Sequence, residues 1–116
     1  MKGGNHFNRS EFKCKCGSCD QDTVDYELLT VLNRLREYFN TPITINSGNR
    51  CASYNKDIGG SKNSQHLRSR AADIVVDGVH PHEVYSTLAT WYPYSYGIGK
   101  YEFFTHIDSR GTKARW

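Results

Sequence analysis

Leu28, Leu32, Leu35 and Phe39 recur at three- and four-residue spacing through the segment TVDYELLTVLNRLREYF. That spacing predicts an amphipathic helix over residues 23–39 with a single apolar face. Such a stripe has to be covered, so the helix must lie on a sheet or on another helix. Asp22 or Thr23 can cap it, and Asp25 and Glu27 fall in its first turn, where the helix dipole favours acids. The following NTP stops it. Farther on, ITIN (43–46) and AADIVV (71–76) read as strands. DGVHPHEVYSTLATWY supplies a second helix, with Pro81 suited to its first position and Val84, Leu88 and Trp91 on one face. YGIGKY and FFTHIDS read as a closing antiparallel hairpin, with Gly97 and Gly99 near its start. The sum is an α+β fold, a small antiparallel sheet flanked by helices.

Residues 1–22 are polar and irregular, and SGNRCASYNKDIGGSKNSQHL reads as one long loop. A loop of that length inside a compact domain is usually functional. With 116 residues, 37% of them hydrophobic, the chain is expected to form one domain over 1–116 and to bury its core without a staple. No apolar run approaches the roughly 20 residues of a membrane span. The start, MKGGNHFNRSEF, lacks an apolar stretch of the signal-peptide kind, so synthesis in a cytoplasm without a signal peptide is expected. A net charge of +3, with three basic residues in the tail SRGTKARW, is mild. It lacks the basic stripe with interleaved aromatics of a nucleic-acid binder. It suits approach to an anionic polymer, and a solvated surface explains it equally well.

Of the five histidines, His80 and His82 flank Pro81 at a helix start, where capping accounts for them, and His6 lies in the loose N-terminus. His66 and His106 each sit beside a strand and beside a carboxylate. Three protein ligands and one open position make a catalytic zinc site, and His66, Asp73 and His106 can supply them. The small Ala71 and Ala72 suit a chain that doubles back between His66 and Asp73. Strand alternation would put Glu102, Phe104, His106 and Asp108 on one face if no bulge intervenes. The alternative is a hydrogen-bonded core histidine and an aspartate in a surface ion pair.

SGNR, then GGSKNSQHLRSRAAD, then THIDSRG resemble the zinc D-alanyl-D-alanine peptidase family. That family includes cell-wall carboxypeptidases, the L-alanyl-D-glutamate endopeptidases of phage endolysins and vancomycin-resistance dipeptidases. Its signature S-x-H-x-x-G-x-A-x-D is matched by Ser64, His66, Ala71 and Asp73, with His106 as the late histidine. The likeness runs from FNRSEF to the terminal RW. It implies a Hedgehog-like zinc fold, a zinc ion on His66, Asp73 and His106, and hydrolysis of a D-Ala-D-Ala or L-Ala-D-Glu bond in peptidoglycan stem peptides. The metal would lower the pKa of a water from about 15.7 toward about 7. The signature glycine is Ser69 here, which would cost of order 1 kcal/mol if that position needs φ > 0.

The resemblance leaves the general base open. The position three before the late histidine is Phe103, so Glu102, four before it, and Asp108, two after it, compete. Arg50 would hold a substrate carbonyl or carboxylate. Ser64 and Gln65 would orient His66 or line the cleft. Tyr54, Tyr96 and Tyr101 are candidates to touch a peptide stem. Cys14, Cys16, Cys19 and Cys51 can bind a second, structural zinc, form two disulfides, or remain reduced thiols. A monomer that reaches the cell wall after release or export is expected, with no nucleic-acid or membrane partner. Two other functions compete: a catalytically silent zinc-containing module that binds the wall or a virion, as the Hedgehog signalling domain keeps zinc while acting as a ligand, and a cysteine-based nucleic-acid protein.

Overall fold

The computed structural model describes residues 6–16, 24–60 and 64–116, the side chains at 52, 53 and 68 excepted. Helix α1, Tyr26–Phe39, starts three residues later than its apolar spacing suggests. The reason is Asp25, whose side chain accepts the Leu28 N–H at 3.2 Å and so caps the helix there. The alternative caps Asp22 and Thr23 lie outside the described residues. The helix ends where Asn40 turns left-handed, φ 52°.

Among the described residues five strands follow: β1 Ile43–Ser47, β2 Ala71–Val76, β3 Gly97–Lys100, β4 Thr105–Asp108 and β5 Ala114–Arg115. They form one sheet in the order β1-β2-β4-β3-β5. Every pairing is antiparallel except β3 with β5. Between β1 and β2 lies a short helix α2, Ala52–Asp57, and between β2 and β3 the helix α3, Pro81–Trp91. Pro81 opens α3, and His80 caps it by accepting the His82 N–H on its ring Nδ1 at 3.1 Å.

One face of the sheet carries Ile43, Ile45, Ala72, Ile74, Val76, Ile98 and Ile107. It packs against Leu28, Val31, Leu32 and Leu35 of α1 and Val84 and Leu88 of α3. Alternation along β2 and β4 therefore turns Asp73, His106 and Asp108 to the other face. The register sets Asp73 directly opposite His106.

Three expectations need correction. The stretch from Ser47 to Leu67 is not one loop: it holds α2 and the 3-10 turn Gln65–Arg68, while 61–63 lie outside the described residues. The N-terminal segment is not loose throughout, because a 3-10 turn, Arg9–Phe12, seats Phe12 in the core beside Phe7. Glu102 does not share the strand face of His106, because the chain turns between Lys100 and Thr105 and alternation starts only at Thr105. The tail folds as β5 along β3, where the Arg115 guanidinium donates to the Tyr96 carbonyl at 2.7 Å. Among the described residues no helix is long and apolar enough to cross a membrane.

Candidate metal centre

Each of the three central side chains is positioned by a different local device. Asp73 and His106 face each other across β2 and β4, with Asp73 Oδ1 2.9 Å from His106 Nδ1. His66 rides on the 3-10 turn that feeds β2, and Ser64 caps that turn by accepting the His66 backbone N–H at 3.2 Å. The turn ends at Ser69 with φ 60° and ψ 25°, the left-handed conformation for which the family signature carries glycine. Ser69 Oγ donates to Asn49 Oδ1 at 2.6 Å. Relief of about 1–2 kcal/mol of left-handed strain would be offset by loss of a hydrogen bond contributing about 1 kcal/mol. Ser69→Gly is therefore expected to shift stability by less than about 1 kcal/mol in urea unfolding. A loss above about 2 kcal/mol would show that the hydroxyl dominates.

The tautomer of His66 follows from its partner. Nδ1 lies 2.6 Å from the Gly48 carbonyl, which can only accept, so Nδ1 carries the proton and Nε2 presents a lone pair. That Nε2 is buried, stands 3.4 Å from Asp73 Oδ2 and has no hydrogen-bond partner among the described residues. A buried acceptor left unsatisfied is costly, and a cation would satisfy it. His66, Asp73 and His106 each offer a ligand atom, all within 4.8 Å of one another.

His106 is oriented in the manner of a metal-binding imidazole. Its Nε2 donates to Asp108 Oδ2 at 2.7 Å, which leaves Nδ1 facing Asp73. Asp108 is fully buried and accepts further from the Gly97 N–H at 3.1 Å and from Arg110 Nε and Nη2, each at 2.8 Å. Gly97 permits this packing, since a Cβ there would fall onto both Asp108 oxygens.

Burial by itself would raise the Asp73 carboxyl, but the His106 hydrogen bond and the nearness of His66 outweigh it and hold it well below the usual range. Burial likewise opposes ionisation of Asp108, and His106 and Arg110 overcome that. For His106, burial disfavours the charged ring, yet the hydrogen bonds to Asp108 and Asp73 raise its pKa. Two ionised carboxylates thus bracket one imidazole, and each also faces an arginine, Asp73 with Arg50 and Asp108 with Arg110. His, His and carboxylate match the preference of zinc.

A family model described as Peptidase M15 matches residues 5–108, from the N-terminal segment through the end of β4. The chain belongs to the M15 peptidase family. No curated protein matches it. The M15 family implies the Hedgehog-like fold, in keeping with the mixed sheet and its three helices.

Around the centre of this M15 domain opens a cleft of about 470 Å³, lined by Arg50, Ser64, Gln65, His66, Asp73, Tyr101, Phe104, His106, Arg110 and Trp116. Arg50 reaches Asp73 Oδ2 at 3.4 Å and is steadied by Asn55 Oδ1 at 3.2 Å and Ser47 Oγ at 3.3 Å. Gln65 Oε1 is buried without a partner among the described residues. Tyr101 is a wall residue, whereas Tyr96 donates to Glu27 on α1 and neither it nor Tyr54 lines the cleft. Glu102 stands exposed on the 101–104 turn and does not line the cleft.

Trp116, Arg110 and Phe104 are wall residues that sequence reasoning missed. The Trp116 ring centre lies 5.0 Å from that of His106, its Nε1 donates to the Tyr101 hydroxyl at 2.7 Å, and Arg110 sits over it. A basic tail with one aromatic carries no periodicity, so only the β3–β5 pairing reveals Trp116 as part of the site. Cys14, Cys16 and Cys51 come together next to Arg50 in the chain, while Cys19 lies outside the described residues.

Proposed function

We propose that this M15 domain is a zinc peptidase that hydrolyses a D-Ala-D-Ala or L-Ala-D-Glu bond in bacterial peptidoglycan stem peptides. The observation that carries the reading is the buried Nε2 of His66, unpartnered among the described residues and aimed at the same small space as Asp73 and His106 on the floor of a cleft. When bound, zinc supplies Lewis acidity, which polarises a carbonyl and acidifies a water.

The chain's own residues would do the rest. His66, Asp73 and His106 hold the ion. Arg50 offers a fixed guanidinium to a substrate carboxylate or carbonyl. Gln65 Oε1 is a spare acceptor for a substrate N–H, and Trp116 and Tyr101 form an aromatic wall for the peptide stem. We assign Asp108 to positioning His106 rather than to taking a proton, because its oxygens already accept from His106, Gly97 and Arg110. The cell wall would be the place of action, with the protein acting as a monomer.

The two carboxylates give a paired prediction. Asp108→Asn is expected to lower kcat/KM and zinc affinity by about 10- to 100-fold, because a carboxylate behind a metal-binding histidine typically contributes that much. Glu102→Gln, on the exposed turn, is expected to leave kcat/KM within about threefold. A large loss at Glu102 with full activity at Asp108 would reverse the assignment, making Glu102 the proton acceptor.

One observation favours a second reading, a zinc-holding module that binds the wall without cutting it: among the described residues Asp73 is the only carboxylate lining the cleft. Mass-spectrometric digestion of purified peptidoglycan separates the two. Peptide products that vanish with chelator and return with zinc support the peptidase. Zinc-dependent sedimentation with the wall and no cleavage of either bond supports the module.

A further inference from the structure

We propose that Cys14, Cys16 and Cys51 form a second metal site, a thiolate site for zinc that clamps the N-terminal segment onto the loop carrying Arg50. Their sulfur atoms lie within 4.8 Å of one another. Zinc bound tetrahedrally by thiolates at about 2.3 Å holds the sulfurs about 3.8 Å apart, so a small adjustment closes all three on one ion. Cys14 is buried and Cys16 and Cys51 are half-buried, an environment that shields the ion yet leaves it a path of entry. On binding, each thiol gives its proton to solvent, and the thiolates replace water around the ion.

The surrounding backbone is already arranged for such a clamp. The Cys51 N–H donates to Cys14 Sγ at 3.3 Å. Next to it, the backbone and side-chain N–H groups of Asn49 both donate to the Phe12 carbonyl, each at 2.9 Å. Gly48 lies flat on the same residue, since a Cβ there would come within 2.8 Å of Phe12 Cα. The segment bearing Cys14 and Cys16 thus backs the four residues Gly48, Asn49, Arg50 and Cys51. Of these, Gly48 fixes the His66 tautomer and Arg50 enters the cleft. An ion on the three sulfurs would brace that loop from behind.

The thiol site shares no ligand with His66, Asp73 and His106, so it stands or falls separately from the peptidase reading. The test uses the full chain, purified under reducing conditions and loaded with cobalt(II), whose bonds to thiolate give an intense near-ultraviolet charge-transfer band that histidine and carboxylate do not. The wild type is expected to show that band and to bind two metal ions per chain. His66→Ala should keep the band and lose one ion. Cys16→Ser and Cys51→Ser, chosen because Cys14 is buried and its replacement can disturb folding, should each lose the band while keeping the other ion. Absence of the band in a wild type with reduced thiols overturns the proposal. So does a band unchanged in both serine variants, or a disulfide among these cysteines in the protein isolated under reducing conditions.

Discussion

His66→Ala is expected to empty the cleft of metal and to lower stem-peptide hydrolysis by about a thousandfold or more. The imidazole supplies a buried lone pair with no partner among the described residues, aimed at the space that Asp73 and His106 share. A metal acting as Lewis acid is worth several kcal/mol of barrier, and about 4 kcal/mol corresponds to about a thousandfold in rate. The fold should survive, because the substitution leaves the buried Gly48 carbonyl without its partner, a cost of about 1–3 kcal/mol against a domain stability of about 5–15 kcal/mol. Zinc analysis, far-ultraviolet circular dichroism and a digest of wall peptides on one preparation check all three statements. A folded variant that keeps a full metal complement in this cleft and turns over normally would remove His66 from the ligand set and with it the proposed chemistry.

Phe12→Ala is expected to cost about 3–5 kcal/mol, the range for deleting a buried aromatic ring from a packed core. Phe12 is 2% exposed, lies 6.0 Å ring to ring from Phe7, and closes the core beneath the Gly48–Cys51 loop. A domain of this size is stable by about 5–15 kcal/mol, so the loss is a large fraction of the whole. The urea midpoint should fall steeply. KM for a peptide should rise as well, since the Phe12 carbonyl anchors Asn49, the residue before Arg50. A stability change under about 1 kcal/mol would mean that the N-terminal segment is an ornament on a core complete without it.

How much of this was legible beforehand depends on the range of each interaction. The Leu28, Leu32 and Leu35 stripe foretold α1 because a helix repeats every 3.6 residues and burial falls on one side. Pro81 foretold the start of α3 because its ring fixes φ and lacks a donor. The choice of cap is not legible along the chain, since Asp22, Thr23 and Asp25 are all good caps and the contact of Asp25 with Leu28 is what selects the last. Helix α2 was hidden because six residues of mixed polarity show no apolar period.

For the site, the chain order by itself named the chemistry on offer: two imidazoles, a carboxylate, an arginine and a group of thiols, together with motifs that resemble a known peptidase family. Residue type and local spacing act within a turn or a strand, and they can be read along the chain. Tertiary structure decided which of these groups meet. The β2–β4 register set Asp73 opposite His106, the left-handed Ser69 brought His66 back to them, and the parallel pairing of β5 set Trp116 beside the same imidazole. It also separated the two rival carboxylates, sealing Asp108 behind Gly97 and Arg110 and leaving Glu102 on an exposed turn. Those outcomes rest on pairings between strands, 11 positions apart for Gly97 and Asp108 and 33 for Asp73 and His106, whose geometry is set by how sheet, loops and core pack together rather than by any local pattern.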